Sequence, residues 1–225
     1  MSRARGTKTA VLAALAVLTI AAAPGETSLR DRLVVEAAAL PPAMLAFDRT
    51  LVSTQSGTGN GTTETRLDRW DGRGWKAVSV NGKPRTPDDA AKALKVCPSN
   101  PVPGYYRLAA LLAHATQATD TQGRTVLRGS VPANWITSSC KDISEHFTFE
   151  AIVASGAPYV EKVRLTTRAP FRMSLMAKID SFVSTSDYAR DVAGRPRLVR
   201  QVADVGGSIL GISGVQHNEG TFNYP

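Results

Sequence analysis

The chain has 225 residues, 43% of them apolar, and carries 27 Lys and Arg against 19 Asp and Glu. This length suits one domain with a real core or at most two small ones. The basic excess is spread along the chain, without the clustered stripe that marks a nucleic-acid partner, so none is expected.

Residues 1–25 open with Arg3, Arg5 and Lys8, followed by an apolar run from Ala10 to Ala23 and small residues after it. This pattern reads as a secretory signal peptide. The apolar run, about 14 residues, is shorter than the roughly 20 needed to span a bilayer. Residues 26–225 then form the exported β domain, placed in the periplasm or secreted, with at most peripheral membrane contact. Removal of residues 1–25 takes away three positive charges, and the formal charge falls from +8 to +5.

The segment "ETSLRDRLVVEAAAL" places Leu29, Leu33, Ala37 and Leu40 at near-helical spacing before Pro41-Pro42 stops it. One amphipathic helix packed over a sheet is expected. "LAFDRTLVST" then reads as a strand with Phe47, Arg49, Leu51 and Ser53 on one side, and "SGTGNGTT" (Ser56–Thr63) as a flexible loop.

In "RLDRWDGRGWKAVSVNGKPRTPDDAAKALK" two dipeptides, Asp71-Gly72 and Asn81-Gly82, signal turns. A loop over Asp71–Gly74 pairs Trp70 with Trp75, Arg69 with Lys76, Leu67 with Val78 and Thr65 with Val80. Leu67 and Val78 then share the face to be buried. The Arg69–Lys76 pairing needs a nearby carboxylate or solvent to relieve it. At Asn81-Gly82 the strand is expected to end and lead into a helix over 87–96, with Thr86 as N-cap and Pro87 at its first position, because Pro84 has no N–H for a ladder.

Further on, "YYRLAALLAHATQATD" reads as a helical turn and then a strand, with a return strand in "RTVLRGS". "VPANWITSSCKDISE" is a loop, and "HFTFEAIVAS" alternates with Phe147, Phe149, Ala151 and Val153 on one face. Val163 and Leu165 alternate next, then Phe171, Met173, Leu175, Ile179 and Val183, and further strands close the chain. Strands at this spacing predict a mainly β (α+β) antiparallel meander. Cys97 and Cys140, an isolated pair in an oxidising compartment, are most simply a disulfide. It closes a loop of about 44 residues, worth about 4 kcal/mol.

No zincin or nucleophile-elbow motif occurs. His146 and Glu150 share a strand parity, but an exposed sheet face with a weak ion pair is the commoner use of that pattern. No enzyme, metal or cofactor is expected. The inward apolar set is more telling: Phe47, Leu51, Leu67, Val78, Phe147, Phe149, Val163, Leu165, Phe171, Met173 and Leu175. If helices cover it incompletely, an apolar ligand cavity remains; if they cover it fully, it is an ordinary core.

The order of elements resembles the LolA/LolB-like fold of bacterial envelope proteins. "RLDRWDGRGWKAVSVNGKPRT" looks like a stretch from a periplasmic branch of that group, where a strand ends in an S-V-N/D-G-K-P turn. "PYVEKVRLTTRAPFRMSLMAKIDSF" resembles its paired central strands. The resemblance spans most of 27–224. It implies a strongly curved half-barrel sheet, with an N-terminal helix and one or two short helices in or over its concave face. Members of the better-known branches bind acyl chains of lipoproteins or other lipids, and Arg49 is the nearest match to the arginine with which the carriers hold a lid shut. The Cys pair and the long 130–145 loop depart from the carriers, so the resemblance implies a lipid-binding relative rather than a lipoprotein carrier. The alternative is an envelope interaction module with a filled core, which would use an exposed Trp70–Trp75 patch to contact another envelope protein.

Overall fold

The computed structural model describes residues 27–42, 45–57, 59–86, 102–138, 141–156 and 158–225. The segment 1–25 expected to be a signal peptide, the helix expected over 87–96, and Cys97 and Cys140 lie outside them. Helix α1 (Leu29–Ala38) forms as expected: the Ser28 hydroxyl caps it by accepting from the Asp31 N–H, and Leu33 and Ala37 are buried. A 3-10 turn (Tyr105–Arg107) runs into α2 (Leu108–Leu112).

The strands are β1 (Phe47–Gly57), β2 (Gly59–Trp70), β3 (Trp75–Val80), β4 (Lys83–Pro84), β5 (Thr116–Thr119), β6 (Thr125–Ser130), β7 (Thr137–Ser138), β8 (Lys141–Asp142), β9 (Phe147–Val153), β10 (Val160–Thr167), β11 (Phe171–Arg172), β12 (Ala177–Arg190), β13 (Pro196–Ile209) and β14 (Ile212–Asn223). All but two form one open antiparallel sheet in the order β4-β3-β2-β1-β14-β13-β12-β10-β9-β6-β5, with β11 also paired to β12. β7 and β8 make a separate small hairpin. The expected curved, mainly β architecture is present.

Among the described residues, the helices cover one end of the concave face. Leu33, Leu108, Leu111 and Leu112 are buried there against Phe47, Tyr188, Leu198 and Phe222 of the sheet. The Tyr105 hydroxyl fastens this end by donating to Glu36 of α1 (3.1 Å) and accepting from the Val160 N–H of β10 (3.0 Å).

Several expectations are corrected. The Asp71–Gly74 loop is a hairpin closed by Trp70 opposite Trp75, and the Arg69–Lys76 conflict is resolved by carboxylates. Arg69 binds Asp48 (2.6 Å) and Lys76 binds Asp71 (2.8 Å). But Val78 is an extra residue on β3, so Leu67 faces Ser79 and Arg66 faces Val80. The inward face of β2 carries Asp68 and Trp70; Leu67, one residue away, points to the other side.

Asn81-Gly82 is also a hairpin turn. Both residues have positive φ (49° and 74°), and Val80 pairs with Lys83. Pro84 does not prevent this. In a two-residue hairpin the closing pair is hydrogen-bonded and the next is not. Pro84 falls on the second, and the Arg85 N–H resumes the ladder to the Val78 carbonyl (3.1 Å). Nor is "SGTGNGTT" a loop: β1 runs to Gly57 and β2 starts at Gly59, with Thr54 opposite Thr63 and their hydroxyls 3.3 Å apart.

The β13–β14 turn uses the same geometry with a different residue. Leu210 and Gly211 have φ of 53° and 80°. Leucine is strained in this region, where asparagine is at ease. Leu210→Asn is therefore expected to raise the unfolding free energy by about 1 kcal/mol, read as an increase in the urea midpoint with the denaturant slope unchanged.

Candidate functional site

Beyond the helix-covered end, the far halves of β1, β2 and β12–β14 enclose a cavity of about 900 Å³. Phe147, Phe171, Met173, Ile179, Phe182 and Val205 make its apolar wall, and the β7–β8 hairpin overhangs it with Ile136, Thr137, Ser138 and Ile143 nearby. A volume of this size lies within the range of small-molecule sites.

The overhang is fastened by polar bonds. Ser144 is fully buried, and its hydroxyl accepts from the N–H groups of Trp135 (3.0 Å) and Ile136 (2.9 Å) while donating to Asp142 (2.6 Å). The Ser144 hydroxyl first, then the N–H groups of Asn134 and Ser144, hold the Asp142 carboxyl below its usual range.

Between the cavity and the helix-covered end, the concave face carries neutral polar groups on β1 and β12–β14, with the charged Arg66 and Glu64 beside them on β2. Gln216 Nε2 donates to Ser53 Oγ (3.2 Å) and Asn218 Oδ1 (3.0 Å), and Gln201 Nε2 donates to Ser186 Oγ (3.3 Å). Among the described lining residues Lys178 is the one that carries a formal charge, and it pairs with Asp180 (2.5 Å). The site can thus take an apolar chain along its wall and a hydrogen-bonding end group at its inner end.

Of the residues expected to bind ligand, Phe147, Phe171 and Met173 line the cavity. Phe47, Phe149, Val163 and Leu165 are buried in the filled core, and Leu51 lies on β1 between the two regions. Leu67 and Val78 are not brought to the cavity, and Leu175 stands 94% exposed in the β11–β12 turn. Phe182 was not anticipated. A bulge between Ile179 and Ser181 shifts the parity of β12, so Phe182 sits opposite Val205 on the inner face.

Arg49 packs within the sheet. Its guanidinium donates to Asp68 (2.6 Å) and lies 4.3 Å from the ring centre of Trp75. Burial lowers its pKa and Asp68 opposes that shift. Arg66 also donates to Asp68, at 2.9 Å. Trp70 and Trp75 are half-buried against Phe47, so they form no exposed contact patch. His146 stacks flat on Phe171, with ring centres 4.0 Å apart. Glu150 is engaged by Arg128 (2.6 Å), so the two form no acid/base pair.

The chain is similar in architecture to a LolA superfamily protein from Nitrosomonas europaea. The two share 9% identity, with 88% of this chain and 94% of that chain covered, at a TM-score of 0.37. No family model matches the sequence. No curated protein matches it. The roles of the residues described above rest on their own geometry. Among the described residues, no helix is long and apolar enough to cross a membrane.

Proposed function

We propose that this is an exported, non-enzymatic protein that binds an acyl chain or a similar apolar ligand in the concavity of its sheet. The observation that carries the reading is the cavity of about 900 Å³, walled by Phe147, Phe171, Ile179, Phe182 and Val205. The described helices fill the sheet at one end, and the cavity lies toward the other. Burial of each methylene there contributes about 0.8 kcal/mol, which is enough for affinity without covalent chemistry. The neutral polar groups of Gln216, Ser53 and Asn218 can receive a hydrogen-bonding end group. Export is supported by the charged, apolar and small-residue order of residues 1–25.

Organic extraction of the purified protein, followed by mass spectrometry, is expected to release an amphiphile in near-stoichiometric amount. The emptied protein should then enhance the fluorescence of a polyene fatty acid. Absence of both signals overturns the reading.

A further inference from the structure

At the mouth of the cavity the sheet ends in apolar turns directed at water. Leu175 (94% exposed) and Met176 (61%) occupy the β11–β12 turn, and Leu210 (69%) occupies the β13–β14 turn beside the exposed Ile209 and Ile212. The Leu210 N–H donates to the Met176 carbonyl at 2.7 Å, which joins the two turns into one tip. Scattered exposed apolar residues are ordinary, but a contiguous group at two joined turns is not. Leu210 adds to this: it holds a left-handed conformation that Asn81 fills in the equivalent turn elsewhere in the chain. A strained residue that places an apolar side chain in water points to a use for that side chain.

We infer that this tip docks the protein on an anionic lipid bilayer. Three features favour a bilayer as the occupant. The side chains project from turns and do not line a groove, which suits shallow insertion between head groups. The tip carries basic residues: Arg172 faces Lys178 across β11 and β12, and the exposed Lys141 stands on the overhanging hairpin. Asp180, the partner of Lys178, and Asp142, beside Lys141 on β8, leave the group with a formal charge of +1. Such charges attract anionic head groups from a distance of about one Debye length. Finally, Ile209, Leu210 and Ile212 also line the cavity. Apolar side chains therefore lead from the bilayer-facing tip toward the ligand wall, a path along which an acyl chain can pass. Docking rests on the exposed apolar turns and the charge of the tip; its use for ligand transfer rests on the acyl-chain reading above.

The test is flotation of the protein, purified after export, with vesicles of phosphatidylcholine doped with phosphatidylglycerol. The protein is expected to float with these vesicles and less with phosphatidylcholine alone. The double variant Leu175→Asp/Met176→Asp should float about tenfold less, while its binding of the fluorescent fatty acid stays unchanged because neither side chain lines the cavity. Failure of the wild type to float, or equal flotation of the double variant, overturns the inference. Flotation without fatty-acid binding supports docking and overturns the acyl-chain reading; fatty-acid binding without flotation does the reverse.

Discussion

Asp68→Ala is expected to lower the unfolding free energy by about 3–5 kcal/mol. Asp68 is fully buried, and one of its oxygens accepts from both Arg49 and Arg66. Its other oxygen and Arg49 Nε are buried without hydrogen-bond partners among the described residues, so the cluster is incompletely satisfied there. Loss of the carboxylate leaves a guanidinium beneath Trp75 with no counter-charge, and removal of one member of a buried pair costs more than the pair contributes. The arginine side chains retain some exposure (17% for Arg49 and 24% for Arg66), which favours the lower end of the range. Replacement of both charges, Arg49→Met with Asp68→Leu, should recover much of the loss, since apolar residues of similar volume fill such sites well. Urea unfolding of the single and double variants measures both effects. A single-variant change below about 1 kcal/mol would place the cluster among ordinary surface ion pairs. In either case Arg49 acts on the β1–β2 region of the sheet, where its described partner Asp68 stands on β2.

That cluster also explains which parts of the fold were legible in the sequence. The Asp71–Gly74 turn and the Trp70–Trp75 pair could be read because turn residues and cross-strand aromatics are local signals. The buried face of β2 could not. Apolar alternation favours Leu67 with Val78, but burial follows Trp70, Trp75 and Phe47, and Asp68 is carried inward because Arg49 and Arg66 neutralise it. Bulges add a second difficulty. The extra residue Val78 and the break at Asp180 each reverse strand parity without a distinctive residue to announce it. Hence Phe182, a wall of the cavity, looks outward-facing in the sequence, whereas Leu175 looks inward-facing although it stands in a turn. Pro84 misled for a related reason: its effect depends on whether its ladder position needs an N–H, and hairpin register decides that. The cavity itself depends on where α1 and α2 end relative to strands of up to 14 residues, which no local pattern encodes.

Val205→Trp is expected to abolish most acyl-chain binding while leaving the protein folded. Val205 lies on the inner face, opposite Phe182 on one side and Gln216 on the other, at the centre of the cavity wall. An indole there occupies space that the ligand requires. Exclusion of only two methylenes removes about 1.6 kcal/mol, which exceeds a tenfold loss of affinity. Overpacking normally costs 1–3 kcal/mol because a core has no room for added atoms. Here the added atoms enter open volume, so the urea midpoint should hardly move. Phe147→Ala makes the opposite comparison. Phe147 is fully buried between the cavity and the core, packed against Phe171 and Phe182, and its truncation should cost about 3–5 kcal/mol. Fluorescent fatty-acid titration and urea unfolding of the two variants therefore separate ligand space from structural packing. If Val205→Trp binds the fatty acid as the wild type does, the chain lies outside this cavity and the acyl-chain reading fails. If it unfolds the protein, the volume beside Val205 is not open in solution, and the sheet closes on itself where the helices stop.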